Sequence, residues 1–440
     1  MVQELKQFAD QNKLFTLDDK ILVGVSGGID SVVLCHLFKK LGVHFGIAHV
    51  NFGLRGVESD EDAQFVQDLA QQLEVKFYLH TCDKVDFESQ QGESVQMIAR
   101  DIRYQFFRHV KKTEHYDKIA LAQHKNDLLE TMIINLSRGG GLSSFHGILP
   151  HNNDLIRPLL FSNRKKIEKY ALENNIQWRE DSSNTGTKYD RNWVRHEIIP
   201  KLERLNPSIE HTVAKTAKRV HHLELAWQYQ VKEFLNQHIS KEAFQCQRLA
   251  LEAIPSHVPA EAYLEFLFKD HGLSYQQIEE LASWRNSKQA GVMVETPWVS
   301  ICLNQNAWVW REKKHQTPIL EIEVGKDYDL GWARLSFGAD KKTGHHPFSI
   351  EISVTEAKHK RIILRTFQEG DKMKLRGMKG SKKLSDLFTD LKIPQVAKNL
   401  IPLLEIDGEV VWVCGIRTSA KIDEESCSET VIVNFSEHRA

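Results

Sequence analysis

The sequence has no Cys-x-x-Cys pair, although it contains six scattered cysteines: Cys35, Cys82, Cys246, Cys302, Cys414 and Cys427. This spacing argues against structural zinc and iron–sulfur clusters and indicates reduced thiols. No stretch approaches the about 18 unbroken apolar residues of a membrane span, and the first residues do not resemble a signal peptide. We therefore expect a cytoplasmic protein that does not contact a membrane.

A strong net charge is also missing, because 58 Lys and Arg face 59 Asp and Glu. The whole-chain average therefore does not predict a nucleic-acid partner, and any basic surface must be local. The length of 440 residues predicts two or three domains.

A glycine-rich turn follows the apolar run at residues 21–25 and leads into a segment with helical periodicity. The turn is Ser26-Gly27-Gly28-Ile29-Asp30-Ser31. Adjacent glycines let the backbone approach a ligand, and N–H groups at a helix N-terminus bind anions such as pyrophosphate. Asp30 could hold magnesium, which prefers hard oxygen ligands. The alternative is an ordinary turn with Asp30 or Ser31 as a helix cap.

The first half alternates predicted strands and helices, which indicates a parallel sheet with right-handed crossovers. Strands are expected at residues 21–25, 44–50, 75–80 and 118–122, and helices at about 30–41, 58–73, 93–111 and 126–138. Ligands of such sheets bind beyond the carboxyl ends of the strands. Polar clusters lie at these ends, so we expect them to converge on one crevice.

Two helices carry charged residues that could serve this crevice. Asp127 and Glu130 would share one face near a helix N-terminus, which suits a metal site or a general base. A helix cap followed by surface acids is the alternative. Arg100 and Arg103 share a face of the preceding helix, where they could neutralise phosphate or form a solvated basic surface.

Loop segments and the C-terminal region supply further polar groups. Residues 139–141 are three glycines, which suit either a mobile segment or a plain loop. Residues 181–184 and 189–195 are rich in groups that bind phosphate, ribose or amino acids, although such clusters are also common in turns. Residues 358–383 contain ten Lys or Arg and two acids, a net charge of +8. Interleaved glycines favour contact with an RNA or DNA backbone over a solvated charged surface.

The predicted fold class is α/β, with a doubly wound, Rossmann-like parallel sheet at the N-terminus. A helical to mixed middle domain and a small α+β C-terminal domain follow. The expected bounds are residues 1–205, 206–345 and 355–440, with a linker at residues 341–347.

Taken in order, these segments resemble the tRNA(Ile)-lysidine synthetase family of PP-loop ATP pyrophosphatases over nearly the whole chain. The glycine turn matches the PP-loop, and it is not a Walker A loop because no Gly-Lys-Ser/Thr follows. Phe52 stands where the family usually has histidine, and Asn126 stands where it usually has the first of two aspartates. The resemblance extends to residues that would contact tRNA or lysine: His49, Asn51, Arg55, Arg100, His124, Arg157, Asp181, Asn184, Arg191, Asn192, Arg195, Lys379, Lys382 and Lys383.

The resemblance implies a two-step ligation. ATP would adenylate the C2 oxygen of the wobble cytidine in a tRNA(Ile) with a CAU anticodon, and the ε-amine of L-lysine would then expel AMP. The ATP would bind at residues 26–31 with Mg²⁺ on Asp30 and Asp127. The implied catalytic residues are Asp30, Arg103, Asp127 and Glu130, and the resemblance also allows a homodimer.

Three other functions use similar features. A PP-loop tRNA thiolase activates the same kind of base carbonyl, but generally needs paired cysteines. A synthetase of the NAD or GMP type shares the loop without needing a basic C-terminal unit. A tRNA-binding protein with a decayed site is favoured only by Asn126.

Overall fold

The computed structural model describes residues 1–54, 56–82, 95–180, 190–286, 291–314, 316–338, 348–353, 360–375, 378, 380–420 and 430–438. The chain divides into two compact units, residues 1–226 and 227–440. The three predicted domain ranges stay a prediction. The predicted linker at residues 341–347 lies outside the described residues.

Strands of the first unit form one sheet in the order β3-β2-β1-β4-β6-β5. All neighbours are parallel except β5 and β6, which pair antiparallel. The central strand β1 is buried on both faces, which explains its unbroken apolar sequence. The bounds are β1 Lys20–Gly24, β2 His44–Asn51, β3 Phe77–Thr81, β4 Lys118–Ala120, β5 His151–Asn152 and β6 Leu155–Ile156.

Helices of the first unit connect these strands, and α2 is buried on most of its surface. Phe38 of α2 is fully buried, with Phe15 and Phe45 ring centroids at 5.3 Å and 5.9 Å. Burial of such a ring contributes about 1.5–3 kcal/mol. The bounds are α1 Val2–Asn12, α2 Ile29–Leu41, α3 Val57–Leu73, α4 Val95–Thr113, α5 Lys125–Ser137, α6 Leu142–His146, α7 Arg164–Glu173, α8 Asp190–Trp193 and α9 Ile199–Leu205.

A long helix, α10 Ile209–His238, contains the boundary between the units. The second unit continues with a sheet in the order β7-β8-β11-β10-β9, packed against two helices. The buried Trp308 indole donates to the Leu281 carbonyl at 2.7 Å, so its polar atom is satisfied in this core. The bounds are β7 Ile239–Lys241, β8 Gln247–Ala250, α11 Ala260–Phe268, α12 Tyr275–Ser283, β9 Met293–Glu295, β10 Val299–Asn304 and β11 Ala307–Glu312.

The C-terminal part of the second unit is mostly antiparallel strands with two short helices. Trp332 and Trp412 are buried in its core. The bounds are β12 Leu320–Glu321, β13 Tyr328–Asp329, β14 Ala333–Gly338, β15 Ser349–Ser353, β16 Ile362–Thr366, β17 Lys372–Lys374, β18 Ser381–Lys383, α13 Leu384–Asp390, α14 Gln395–Lys398, β19 Pro402–Ile406, β20 Glu409–Val413, β21 Arg417–Thr418 and β22 Thr430–Glu437.

The α/β class with a parallel N-terminal sheet is therefore confirmed. Among the described residues, no helix combines the length and the apolar character needed to cross a bilayer. Five cysteines are buried thiols: Cys35, Cys82, Cys246, Cys302 and Cys414. Cys427 lies outside the described residues.

Candidate active site

The glycine turn leads from the end of β1 into the N-terminus of α2. Gly27 has a φ of +90°, a conformation that residues with a Cβ rarely adopt. The Ser31 hydroxyl donates to the Gly28 carbonyl at 2.9 Å, and the Ser26 amide donates to Ser31 Oγ at 3.3 Å. These bonds fix the turn beside the positive end of the α2 dipole, as expected for an anion site.

Asp30, in the first turn of α2, faces an arginine and a histidine. Its Oδ2 accepts a hydrogen bond from Arg164 Nη1 at 2.8 Å. Its Oδ1 lies 3.5 Å from His124 Nε2, is buried, and has no hydrogen-bond partner. Burial alone would raise the pKa of Asp30, but His124 and Arg164 outweigh burial and hold it below its ordinary value. A buried, ionised and unsatisfied carboxylate oxygen fits a site for a hard cation.

His124 precedes α5 and caps it. Its Nδ1 accepts from the Asn126 amide at 3.3 Å, and its own amide donates to Asp127 Oδ2 at 2.9 Å. The same Asp127 oxygen lies 3.6 Å from His124 Nε2. Burial opposes the charged imidazole, but Asp127 and Asp30 outweigh it and raise the pKa of His124. The helix cap is therefore present, and the same residues bring Asp127 close to His124. The catalytic role of the cluster stays a prediction.

Asn126 joins two helices of this site. Its Oδ1 accepts a hydrogen bond at 3.0 Å from the backbone amide of Arg164, the first residue of α7. Arg164 is the residue that binds Asp30. Asn126 thus positions the arginine that neutralises Asp30, which is a structural role that an aspartate oxygen could also fill.

Glu130 is fully buried and binds two arginines. Its oxygens accept from Arg191 Nε at 3.0 Å and from Arg195 Nε and Nη2 at 2.6 Å and 3.1 Å. Arg191 lies on α8, and Arg195 lies on the π-helical turn Val194–Ile198 that follows it, so both arginines reach this carboxylate from one continuous helical segment. Burial would lower the pKa of Arg195, but Glu130 raises it, so the guanidinium stays charged. Arg191 also donates to the Thr131 hydroxyl at 3.0 Å.

Three buried predicted residues support loops around the site. His49 Nδ1 bonds the Val25 carbonyl at 2.8 Å, directly before the glycine turn. Asn51 donates to Asp60 and accepts from the Gly53 amide. Arg157 donates to Gln123 Oε1 at 2.6 Å and to a loop carbonyl. All three hold the polar segments at the carboxyl ends of the strands.

Arg100 and Arg103 lie on α4 with exposed side chains. Arg103 stacks over Phe52 at 5.3 Å, and Arg100 stacks over Tyr104 at 4.9 Å. Phe52 therefore has a clear role in this chain, because an aromatic ring holds the arginine by a cation–π contact.

A groove of about 570 Å³ adjoins the glycine turn. Its wall includes Phe65, Trp178 and Arg179. The Arg179 amide donates to the Gly27 carbonyl at 3.0 Å, while its guanidinium binds Asp62 and Glu61. The groove therefore places an aromatic surface beside the glycine turn.

The sequence did not indicate Arg164, Trp178 or Arg179 as site residues.

The remaining predicted residues lie in different parts of the chain. Asn192 lies on α8, while Lys382 and Lys383 lie on β18 of the second unit. Four predicted residues lie outside the described residues: Arg55, Asp181, Asn184 and Lys379.

Two family models match the chain. Residues 1–202 match a PP-loop domain, and residues 362–434 match a TilS substrate C-terminal domain. A tRNA(Ile)-lysidine synthase of Parabacteroides distasonis is 30% identical over 452 residues, which cover 99% of this chain and 100% of the relative. This chain belongs to the tRNA(Ile)-lysidine synthase family. A member from Porphyromonas gingivalis is 30% identical over 446 residues, 96% of this chain and 95% of the relative.

Solved structures similar to the chain include a U34-tRNA thiolase from Methanococcus maripaludis. The TM-score is 0.41 at 18% identity, and the match covers 50% of this chain and 79% of that one.

Membership of the tRNA(Ile)-lysidine synthase family makes this chain a ligase that uses ATP at its PP-loop domain.

Proposed function

We propose that this chain ligates lysine to C2 of the wobble cytidine of tRNA(Ile) with a CAU anticodon. The product, lysidine, pairs with A rather than G, which changes codon reading from AUG to AUA and amino-acid identity from methionine to isoleucine. The observation that carries the proposal is the meeting of Asp30, His124 and Asp127 at the PP-loop. The full-length similarity to relatives of this name supports it.

The first step is adenylation. The cytidine C2 oxygen attacks the α-phosphorus of ATP, and the bond from that phosphorus to the leaving pyrophosphate breaks. Backbone N–H groups of residues 26–31 and the α2 dipole receive the pyrophosphate charge. We assign Arg103 to charge that develops in this transition state.

In the second step the neutral ε-amine of lysine attacks C2. The C2–O bond breaks, AMP leaves with the bonding electrons, and the amine loses a proton. Glu130 is poorly placed to take that proton, because both of its oxygens already bind arginines. We propose that Glu130 acts by fixing Arg191 and Arg195 rather than by direct proton transfer.

Asp30 and Asp127 are the proposed magnesium ligands. Magnesium bound there would neutralise phosphate charge of ATP. The buried, unsatisfied Oδ1 of Asp30 supports this assignment. We place the adenine in the groove lined by Phe65 and Trp178, since aromatic faces stack on bases.

The second unit would contact the tRNA backbone. Lys372 and Lys383 are cross-strand partners on the β17–β18 hairpin, and both are exposed. Paired ammonium groups on a hairpin suit phosphate contacts, which fix position without reading sequence. A homodimer and a cytoplasmic location stay expectations of the family resemblance.

Four of the cysteines also argue against a thiolase, which would activate the same kind of base carbonyl. Sulfur transfer needs a reactive thiolate. Burial raises the pKa of Cys246 to about 12 and raises that of Cys35, Cys302 and Cys414 as well. These four thiols therefore stay protonated and enclosed near neutral pH.

The decisive experiment measures incorporation of labelled lysine into a tRNA(Ile) transcript with a CAU anticodon, in the presence of ATP and Mg²⁺. The elongator tRNA(Met) is the control. We expect lysine only in the isoleucine tRNA. Release of pyrophosphate without lysine incorporation would point to another nucleophile, and the absence of both would indicate a tRNA-binding protein without this chemistry.

A further inference from the structure

Three metal-ligating side chains meet in the first unit away from the PP-loop. His146 is the last residue of α6, while His221 and Glu224 lie three residues apart on α10. His146 Nε2 lies 3.1 Å from Glu224 Oε2, and His221 Nδ1 lies 3.9 Å from the same oxygen. All three ligand atoms lie within 4.8 Å of one another. Among the described residues, this is the one cluster with that geometry.

The chemistry of the set points to a borderline transition metal. Two imidazoles and one carboxylate are typical zinc ligands, at about 2.0–2.2 Å from the ion. Ligand atoms of a tetrahedral site then lie about 3.4 Å apart. The observed separations bracket this value, so small side-chain rotations would complete the site. Magnesium is disfavoured, because it prefers oxygen ligands.

The state of His221 distinguishes the cluster from an ordinary ion pair. Its Nδ1 is buried and has no hydrogen-bond partner among the described residues. An imidazole nitrogen without a hydrogen bond has a lone pair available for a metal. His146 and Glu224 are only 13% and 15% exposed.

The place of the cluster gives the metal a structural task. Helix α6 has no buried residue and follows the exposed glycines 139–141. Gly147, directly after α6, has a φ of +58° and lies so close to α5 that a Cβ would fall 2.7 Å from Leu128 Cδ1. Helix α5 carries Asp127 and Glu130. A bond between α6 and α10 would therefore fix a segment that packs on a helix of the candidate active site.

We propose that His146, His221 and Glu224 bind one Zn²⁺ ion, which joins α6 to α10 and leaves its fourth position to water. The site is separate from the magnesium ligands proposed at the PP-loop, and it does not depend on the proposed ligation.

The test uses the full-length chain after dialysis against a chelator. Zn²⁺ binding is measured by competition with a chromophoric chelator in excess Mg²⁺, and Co²⁺ binding by visible absorption. We expect one Zn²⁺ per chain and the intense absorption of tetrahedral Co²⁺. His221→Gln and Glu224→Gln should each weaken binding by about tenfold or more, since even groups behind the ligands contribute that much.

The matched control is His222→Gln, which removes an exposed histidine at the next position of α10. It should bind Zn²⁺ like the unaltered chain. The proposal would be overturned if the His221→Gln and His222→Gln variants bound Zn²⁺ with equal affinity, whether or not that affinity is reduced. Weak Co²⁺ absorption of the octahedral type would also overturn it. Zinc should also raise the melting temperature of the unaltered chain but not of His221→Gln, and equal stabilisation of both would likewise contradict it.

Discussion

Asp30 carries a negative charge in a partly enclosed position because Arg164 and His124 adjoin it and lower its pKa. Arg164 satisfies one oxygen, while the other remains without a hydrogen bond. An oxygen left in this state costs free energy unless a ligand uses it. The residue that matters most to the proposed chemistry is therefore also one that the folded chain leaves incompletely satisfied.

We predict that Asp30→Asn lowers lysine incorporation about 100-fold or more, because the neutral amide loses the charge that would bind magnesium. The measurement is initial-rate lysine incorporation at saturating ATP. Asp18→Asn alters an exposed aspartate that precedes β1, at the opposite end of the strand from Asp30, and should leave the rate unchanged. An Asp30→Asn rate within twofold of the unaltered chain would remove Asp30 from the mechanism.

Glu130 should contribute to stability through its arginines. Glu130→Gln removes the charge partner of Arg191 and Arg195, so we expect a loss of about 2 kcal/mol in the free energy of unfolding. Urea unfolding measures it. Glu197→Gln is the control, because Glu197 forms an exposed pair with Lys201 that contributes below about 0.5 kcal/mol. Equal losses in both variants would contradict the special role of Glu130.

His124 gives the site a defined pH dependence. Its folded pKa lies above the ordinary value near 6.5, so its ion pairs stabilise the fold fully below that pH. This stabilisation is lost as the pH rises through the folded pKa. His124→Asn keeps a good helix cap but does not titrate. The free energy of unfolding of the unaltered chain should therefore fall relative to the variant above about pH 6.5. Parallel pH profiles would disprove the prediction.

At the scale of elements, the junction of α5 and α7 matters because Asn126 connects the two helices. Arg164 starts α7 at the hydrogen bond from its amide to Asn126 Oδ1. This bond needs only an acceptor oxygen, which asparagine and aspartate both have. Asn126, in place of the aspartate usual in the family, therefore keeps the contact between the two helices.

We predict that Asn126→Asp keeps lysine incorporation within about threefold, since its carboxylate accepts the same bond. Asn126→Leu should lower incorporation about tenfold or more, because the Arg164 amide loses its partner and the arginine loses its position. Both rates are measured beside thermal unfolding, which separates misplacement from unfolding. This account would be refuted if Asn126→Leu were more active than Asn126→Asp.

Local sequence patterns predicted β1, α2 and α5 well, because an unbroken apolar run and helical periodicity are properties of neighbouring residues. The contact of Arg164 with Asp30 spans 134 positions, and that of Arg179 with Asp62 spans 117. Arginines are common on protein surfaces, so nothing in the neighbouring sequence distinguished Arg164 or Arg179 from the others. For Glu130, the sequence indicated Arg191, Arg195 and the glutamate separately as site residues. It did not indicate that both arginines bind this one carboxylate.

At the scale of the whole chain, the basic C-terminal window is less available to RNA than its composition indicates. Arg365 is almost buried and binds both Asp371 and Glu405. Lys382 binds Asp390. The net charge of the segment therefore overstates the charge that can meet phosphates, and the β17–β18 hairpin is the better candidate surface.

We predict that Lys372→Gln with Lys383→Gln weakens tRNA binding and lowers the salt dependence of the affinity. Two lost phosphate contacts should reduce the slope of log K against log salt by about 1.4–1.8. Filter binding at several salt concentrations measures both effects. Lys326→Gln, an exposed lysine of the same unit, is the control. An unchanged slope in the double variant would exclude the hairpin from the tRNA contact.

The bond between the Arg179 amide and the Gly27 carbonyl has a consequence for synthesis of the chain. The nucleotide loop is translated early, yet its partner residues emerge from the ribosome only after most of the first unit has been made. A nascent chain that ends before Arg164 holds the PP-loop sequence without the groups that shape it and neutralise Asp30. The complete surroundings of the PP-loop can therefore form only after the first unit is nearly complete.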